Sequence, residues 1–559
     1  MKLSQYYLPT LREAPADART EAHKWMLRSG MAREIGVGLF TLLPYGLELK
    51  EALEARLEKD FFKDGLELSL SPLQPRALWE ESGRWESYGG MYKVADRTNR
   101  QAALSPESEE AFLGLASGEL KSYKQLPLFL YEKATRYKDV QKPASGLADA
   151  RAYFVMDGMR FDSDMNVAEA FFGEEKRRAE NLLNDLGIDC RAVETPEALV
   201  YYVLAEGYKD VLALDGKLAY IADEAPIRYR LPEGEAPKEA EDVYTPDART
   251  IKDLSDMLGI EPARCTKAVD LRVDGEPVFV FVPGDRELNQ KKLEKYLGVS
   301  GDKIDMLDEE TILELGTFPG FTGPVGLGEK ARIIVDRSVT AMDNMVVGAN
   351  KENYHTKNVN YGRDFEGEVA DDLLDVAEGD VSPAGAPYTF REAFEVARIK
   401  KPSAAFSDAM NVGFLNDEGK EAPYISGGAT WRTGALLAAV LENHRDENGP
   451  NFPLHLGPYD VAITVANGKK EEQTELAEKL YDALTEKGIA TLLDARNERA
   501  GVKFKDRDLL GIPLQLTVGK DAQEGVVEFK RRGGDVEKLP AEDALLRIEA
   551  TPQWHCAWN

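Results

Sequence analysis

Side chains able to do metal, thiol or imidazole chemistry are few and far apart in this sequence. The three cysteines, Cys190, Cys265 and Cys556, and the five histidines form no ligand-spaced cluster. Neither a structural zinc nor a disulfide framework is therefore expected. Two short basic runs, Phe529–Gly534 (FKRRGG) and Lys503–Arg507 (KFKDR), can offer a polyanion a local positive surface. Composition alone reads both as solvated, charge-mixed faces. The net charge of −29 argues against a protein that coats nucleic acid through its bulk field. Taken singly, Lys267 reads as a solvated lysine, His355 as a packing or capping histidine, and Gly320 and Gly323 as turn formers.

The elements that must position any site are spread over a long chain. At 559 residues it exceeds what one core can organise, and three to four domains are expected. Hydrophobic residues at 43% and charged residues at 30% place it among ordinary globular proteins. No uncharged apolar run reaches the length of a membrane span, and Met1 to Arg12 shows no secretory pattern, so a cytoplasmic protein without a membrane segment is expected. Glu48–Lys63 places Leu53, Leu57 and Phe61 at helical spacing. Leu66–Leu73 alternates like a strand, and Leu126–Leu130 and Ala152–Met156 are short apolar runs. Strands broken by helices without a βαβ rhythm predict an α+β layer around an antiparallel sheet. The acidic stretch Leu231–Asp242 reads as a linker. Beyond it, Val278–Val282 and Ile333–Val335 are buried-strand candidates and Arg286–Leu297 is helix-like. A second acidic stretch covers 366–387. From Pro458, strand Val461–Val465, helix Glu471–Lys487, strand Ala490–Leu493, a helix near Lys503–Leu510 and strand Gln515–Val518 predict a small parallel-rich α/β domain.

Several phrases in order carry a family resemblance. Leu27-Arg28-Ser29-Gly30-Met31, Gly38-Leu39-Phe40-Thr41-Leu42-Leu43-Pro44, Leu78-Trp79-Glu80-Glu81-Ser82-Gly83-Arg84-Trp85 and Ser122-Tyr123-Lys124-Gln125-Leu126-Pro127 resemble the opening landmarks of bacterial-type prolyl-tRNA synthetase. The stretch 244–365 resembles that family's editing insertion. Asp494-Ala495-Arg496, Glu498–Phe504 and Leu510-Gly511-Ile512-Pro513 resemble its class IIa anticodon-binding domain. The resemblance implies an α+β multidomain protein. A class II antiparallel-sheet core spans 1–230 and 385–455, an inserted α/β editing domain 243–370, and a C-terminal α/β anticodon-binding domain 456–559. It also implies tRNA(Pro) as partner, a homodimer, and no role for DNA. Arg496 and Lys503 are the tRNA-binding candidates.

The resemblance is weakest where proline should be activated with ATP. That chemistry requires cations fixed on the polyphosphate, and arginine suits it because its planar fork binds two oxygens at once. The family's Phe-Arg-Asp-Glu reads Tyr137-Lys138-Asp139-Val140 here, and its Arg-Ser-Arg-Glu-Phe reads Asp149-Ala150-Arg151-Ala152-Tyr153. The arginine of its third motif falls at Ala435, with Arg432 close by. In the proline pocket Glu109 survives, while an expected histidine falls at Asp162 and a glutamine at Lys401. Lys138, Arg151, Arg432 and Glu109 are thus what remains of the ATP and proline site. ATP and magnesium are expected only if ligation survives.

The editing pattern is better kept. Lys267 falls on the family's deacylation lysine, Gly320, Gly323 and Pro324 on its Gly-x-x-x-Pro loop, and His355 on its histidine, while a family aspartate falls at Asn344. The chemistry implied is hydrolysis of an aminoacyl ester, with loop N–H groups stabilising the oxyanion and Lys267 holding terminal phosphates. Three outcomes stay open: an editing enzyme with ligation impaired or lost, a competent proline–tRNA ligase with an unusual site, and a non-catalytic tRNA- or amino-acid-binding regulator.

Overall fold

The computed structural model describes residues 1–551 apart from Lys217, Glu329 and His455. It divides into two compact units, Met1–Asp210 with Glu392–Asn559, and Val211–Arg391. Among the described residues no helix is long and apolar enough to cross a membrane.

In the first unit an antiparallel sheet runs in the order Cys190–Glu194, Ala198–Leu204, Thr389–Ser403, Ile425–Trp431, Ala152–Asp162 and Leu128–Tyr137. The short strand Leu66–Glu67 joins its edge in parallel. Helices Pro44–Asp60, Met165–Asp185 and Thr433–Asn443 pack over it. Helix Thr433–Asn443 is buried from Thr433 to Leu441, because its sequence is apolar all round. Phe61 meets Trp431 edge-on at 5.3 Å and Phe62 stacks on Tyr131 at 5.0 Å. Fully burying side chains of this size stabilises by about 1.5–3 kcal/mol each. The alternation of a strand sorts the rest: Met156 goes to this core, while Tyr153, Val155, Asp157 and Met159 line a cavity.

Leu66–Leu73 is not one strand. Leu66–Glu67 and Leu73–Pro75 belong to different sheets, because the chain leaves the ladder and Leu70 N–H donates instead to Glu132 Oε2, 3.0 Å away. The C-terminal sheet runs Thr491–Asp494, Val461–Val465, Leu514–Val518, Val526–Arg531, Glu537–Pro540, parallel across the first three strands and antiparallel beyond. Helices Glu471–Glu486 and Ala500–Leu509 supply the crossovers the sequence requires.

The second unit holds a five-stranded sheet in the order Ile304–Met306, Thr266–Val273, Glu276–Pro283, Arg332–Asp336, Glu368–Ala370. A three-stranded sheet runs Glu241–Tyr244, Tyr354–Val359, Met345–Gly348. The helix expected over Arg286–Leu297 begins at Gln290, where the Asn289 side chain accepts from Lys292 N–H at 2.9 Å. The acidic stretch Leu231–Asp242 is not a free linker. Arg264 Nη2 donates to Glu233 O at 3.0 Å, Arg363 Nη1 to Lys238 O at 2.7 Å, and Asn358 Nδ2 to Glu239 O at 2.9 Å. Side chains distant in sequence satisfy its backbone, which composition cannot foretell.

Candidate functional site

The sheet of the first unit lines a cavity of about 1140 Å³. It is rich in cations, and its geometry ties most of them internally. Arg136, which is 2% exposed, donates Nε to Asp157 Oδ2 at 2.8 Å and Nη1 to Ser105 Oγ at 3.1 Å, and also pairs with Glu132. Arg84 spans Glu107 at 2.6 Å and Glu110 at 3.0 Å. Arg398 grips Glu395 with two bonds of 3.0 and 3.1 Å. Lys400 pairs with Glu109, Lys401 with Glu194 at 2.8 Å, and Lys209 with Asp149 at 2.5 Å. Desolvation pulls the Lys400 ammonium down to about 8, with Glu107 opposing. Burial works to raise the Glu107 carboxyl, but Lys400 and Arg84 outweigh it and hold the group below its ordinary value.

Of the sequence candidates here, Lys138, Arg432 and Glu109 line the cavity. Arg432 donates Nη2 to Ala148 O at 2.7 Å and stacks over Tyr153. Lys138 has no side-chain partner among the described residues. Arg151 is not among the lining residues; its Nε donates to Val140 O at 3.1 Å. Asp149 lies in the lining as a partner for Lys209 rather than as an unopposed charge. Ala435 is 1% exposed inside the helical core. Asp162 is sealed against Arg160 by bonds of 2.9 and 3.0 Å.

The second unit holds a smaller cavity of about 690 Å³, lined among others by Arg249, Lys252, Lys267, Asp270, Gly320, Thr322, Gly348 and His355. Strand Tyr354–Val359 presents His355, and pairing of Val243 with His355 brings Thr245 alongside. Thr245 Oγ1 lies 2.7 Å from His355 Nδ1 and fixes the ring, while Nε2 has no partner among the described residues. Burial lowers the imidazole to about 4, so the ring is neutral at pH 7. Phe321 closes its side edge-on at 5.5 Å.

The Gly-rich loop divides its labour. A Cβ on Gly323 would stand 1.7 Å from Gly348 O, so backbone meets backbone there and only glycine fits. Gly323 N–H donates to Asn350 Oδ1 at 2.8 Å and is not available to an oxyanion; Gly323 and Pro324 shape the loop without lining the cavity. The N–H groups of Gly320 and Thr322, both lining residues, have no acceptor among the described residues. Gly320 has φ +82°, and the Arg249 side chain lies over it. Lys267 pairs with the largely exposed Glu287 at the rim.

Asn344 lies outside this cavity. Its Nδ2 donates to Ala236 O at 2.9 Å and its Oδ1 accepts from Lys238 N–H at 2.9 Å, a two-way grip that an aspartate cannot make.

The two tRNA-binding candidates of the C-terminal domain are committed to the fold. Lys503 is 0% exposed and donates Nζ to Val465 O at 2.8 Å, which corrects its reading as a surface contact. Arg496 is held by Asp494 and Asp506 at 2.8 and 2.7 Å. Within FKRRGG, Arg532 is 4% exposed on its side chain and faces Asp446 at 3.0 Å, so this arginine is a buried structural cation and not part of the solvated face that composition suggests.

Sequence reasoning missed Arg136, Arg398 and Lys400 in the first cavity, Arg249, Thr322 and Asp270 in the second, and Thr245 behind His355. One signal was present: Asp270 is a single acid inside the otherwise apolar Ala268–Leu271 segment. Among the described residues no group of three His, Cys, Asp or Glu side chains is placed to hold a metal ion.

Residues 245–365 match the aminoacyl-tRNA editing domain family and residues 460–551 the anticodon binding domain family, a combination that defines an aminoacyl-tRNA synthetase. Proline–tRNA ligase of Finegoldia magna is 42% identical over 549 residues, covering 95% of this chain and 94% of the relative. Those of a Thermoanaerobacter species and of Citrifermentans bemidjiense are 36% and 35% identical, each covering 98% of this chain and 99% of the relative. The crystal structure of prolyl-tRNA synthetase from Cryptosporidium parvum with L-proline and AMP covers 96% of this chain and 76% of its own, at 13% identity and a TM-score of 0.55, a likeness of fold. This chain belongs to the prolyl-tRNA synthetase family.

Proposed function

We propose that this protein binds tRNA(Pro) and hydrolyses mischarged alanyl-tRNA(Pro), with ATP-dependent activation of proline impaired or lost. The observation that carries the reading is the contrast between the two cavities. In the editing unit a neutral, oriented His355 shares a small cavity with two unsatisfied loop N–H groups. In the first cavity Arg136, Arg84, Arg398, Lys400, Lys401 and Lys209 already carry internal counter-ions.

The chemistry follows from these groups. Lys267 and Arg249 at the rim take the phosphates of the tRNA 3′ end, Lys267 exchanging exposed Glu287 for a phosphate oxygen. The ester carbonyl oxygen sits against the N–H groups of Gly320 and Thr322, which stabilise the oxyanion as water adds. A ring protonated at Nδ1 donates to Thr245 Oγ1 and leaves Nε2 as the acceptor for the proton of that water. The proton passes to the ribose oxygen as its bond to the acyl carbon breaks, releasing alanine and a tRNA with a free hydroxyl. The Gly323–Gly348 contact keeps the cavity small, which favours alanine over proline.

The test is hydrolysis of alanyl-tRNA(Pro) by the full chain beside Lys267→Ala. Rapid hydrolysis that the variant loses supports the reading, and a rate no greater than the spontaneous one sinks it. A second reading, a competent proline–tRNA ligase, is favoured by Lys138 and Arg432 lining the first cavity and by the names of the relatives. Proline-dependent exchange of pyrophosphate into ATP, abolished by Arg432→Ala, would establish it.

A further inference from the structure

The editing cavity contains a buried charged group that the mechanism above does not use. Asp270 lines the cavity and is 9% exposed. Its Oδ2 accepts from Thr322 Oγ1 at 2.9 Å, while its Oδ1 is buried with no hydrogen-bond partner. A buried carboxylate oxygen left unpaired costs free energy unless something else satisfies it. Burial raises the carboxyl above its ordinary value, with the hydrogen bond from Thr322 opposing.

The other acids of the cavity are already spoken for. Glu287 pairs with Lys267, and Asp256 with Lys252 at 3.0 Å, both at exposed positions. His355 is neutral and tied to Thr245. Every remaining charge in the lining, Arg249 included, is positive and suited to phosphate. An aminoacyl ester brings one positive group of its own, the α-ammonium, one bond from the acyl carbon's neighbour. Thr322 links Asp270 to the loop whose N–H groups the proposed mechanism sets against the ester carbonyl.

We infer that Asp270 is the specificity residue that binds the α-ammonium of the aminoacyl group, through Oδ1, with Thr322 fixing the carboxylate. The inference rests on the hydrolase reading. It makes the cavity selective for aminoacyl over 2-hydroxyacyl esters, a discrimination that size exclusion cannot supply. A site built to pair a charged donor rejects the analogue lacking it, because its own buried group is then left unsatisfied.

The experiment uses two esters on the same tRNA: alanyl-tRNA(Pro), and lactyl-tRNA(Pro) made from it by nitrous acid. The full chain is expected to hydrolyse the alanyl ester about ten- to hundredfold faster in kcat/KM, the range of one charge-assisted hydrogen bond. Asp270→Asn keeps the shape and the bond from Thr322, and should remove that preference by slowing the alanyl reaction alone. Comparable wild-type rates on both esters, corrected for spontaneous hydrolysis, overturn the inference without any variant. An equal loss on both esters in Asp270→Asn also overturns it and assigns Asp270 a structural or proton-donating role. Wild-type protein inactive on both esters overturns the hydrolase reading itself, and this one with it.

Discussion

The bond between Thr245 and His355 offers the sharpest test of the editing geometry. Thr245→Val keeps the volume and the β-branched shape but removes the hydroxyl 2.7 Å from Nδ1. His355 is 6% exposed, so water cannot replace the lost partner. An orphaned buried group costs about 1–3 kcal/mol, and loss of the fixed tautomer should slow hydrolysis by at least about tenfold. Thr245→Ser, which restores the oxygen, should recover most of the rate. The pH profile adds a second check. The folded imidazole titrates near 4 rather than near its ordinary 6.5, because burial disfavours the charged form. Wild-type hydrolysis, corrected for the spontaneous reaction, should therefore show no loss from imidazole protonation between pH 7 and 5. Stability, unlike turnover, changes across this range. Between those two values only the unfolded chain takes up the proton, so His355 stabilises the fold above pH 6.5 and loses that contribution as pH falls toward 4. The shift corresponds to at most about 3 kcal/mol, nearer 2 kcal/mol after solvent screening at the cavity mouth. A Thr245→Val variant with wild-type turnover, or a wild-type profile that breaks near 6.5, refutes the argument.

Gly323→Ala would drive a methyl into Gly348 O, and since both contacts are backbone the loop must move. Hydrolysis should fall by more than tenfold and denaturant unfolding should show about 1–3 kcal/mol of destabilisation; an unchanged rate would show that the loop does not shape the cavity. Asn344→Asp sets a carboxylate against Ala236 O and should cost about 1–3 kcal/mol, read as a lower urea midpoint, with protease cutting within 231–242 as the local signature. Lys503→Met keeps the buried stem but orphans Val465 O, so stability should fall by about 1–3 kcal/mol while tRNA affinity of the remaining folded protein stays the same; weaker tRNA binding at unchanged stability would restore Lys503 as a contact. Arg136→Gln should destabilise the first unit by about 3 kcal/mol or more, because Asp157 and Glu132 lose their shared buried cation; a neutral result would show the network to be solvated.

Elements whose pattern is local were legible in the sequence. The strands and helices from Val461 to Val518 lie within a residue or a few of their expected bounds, since β-branched runs alternating with amphipathic stretches leave one way to bury each face. The order of short phrases likewise identified the family, and Lys267, Gly320 and His355 could be named before their cavity was seen. Which charges are free depends on packing. That Lys503 is buried, that Arg136 serves Asp157 and Glu132, and that Gly323 N–H is already taken by Asn350 depend on partners distant in sequence or across a strand pairing. The same holds for Asp270. Its acidity was visible in the sequence, but its unpaired oxygen follows from burial, and burial is a property of everything packed around a residue rather than of the residue itself.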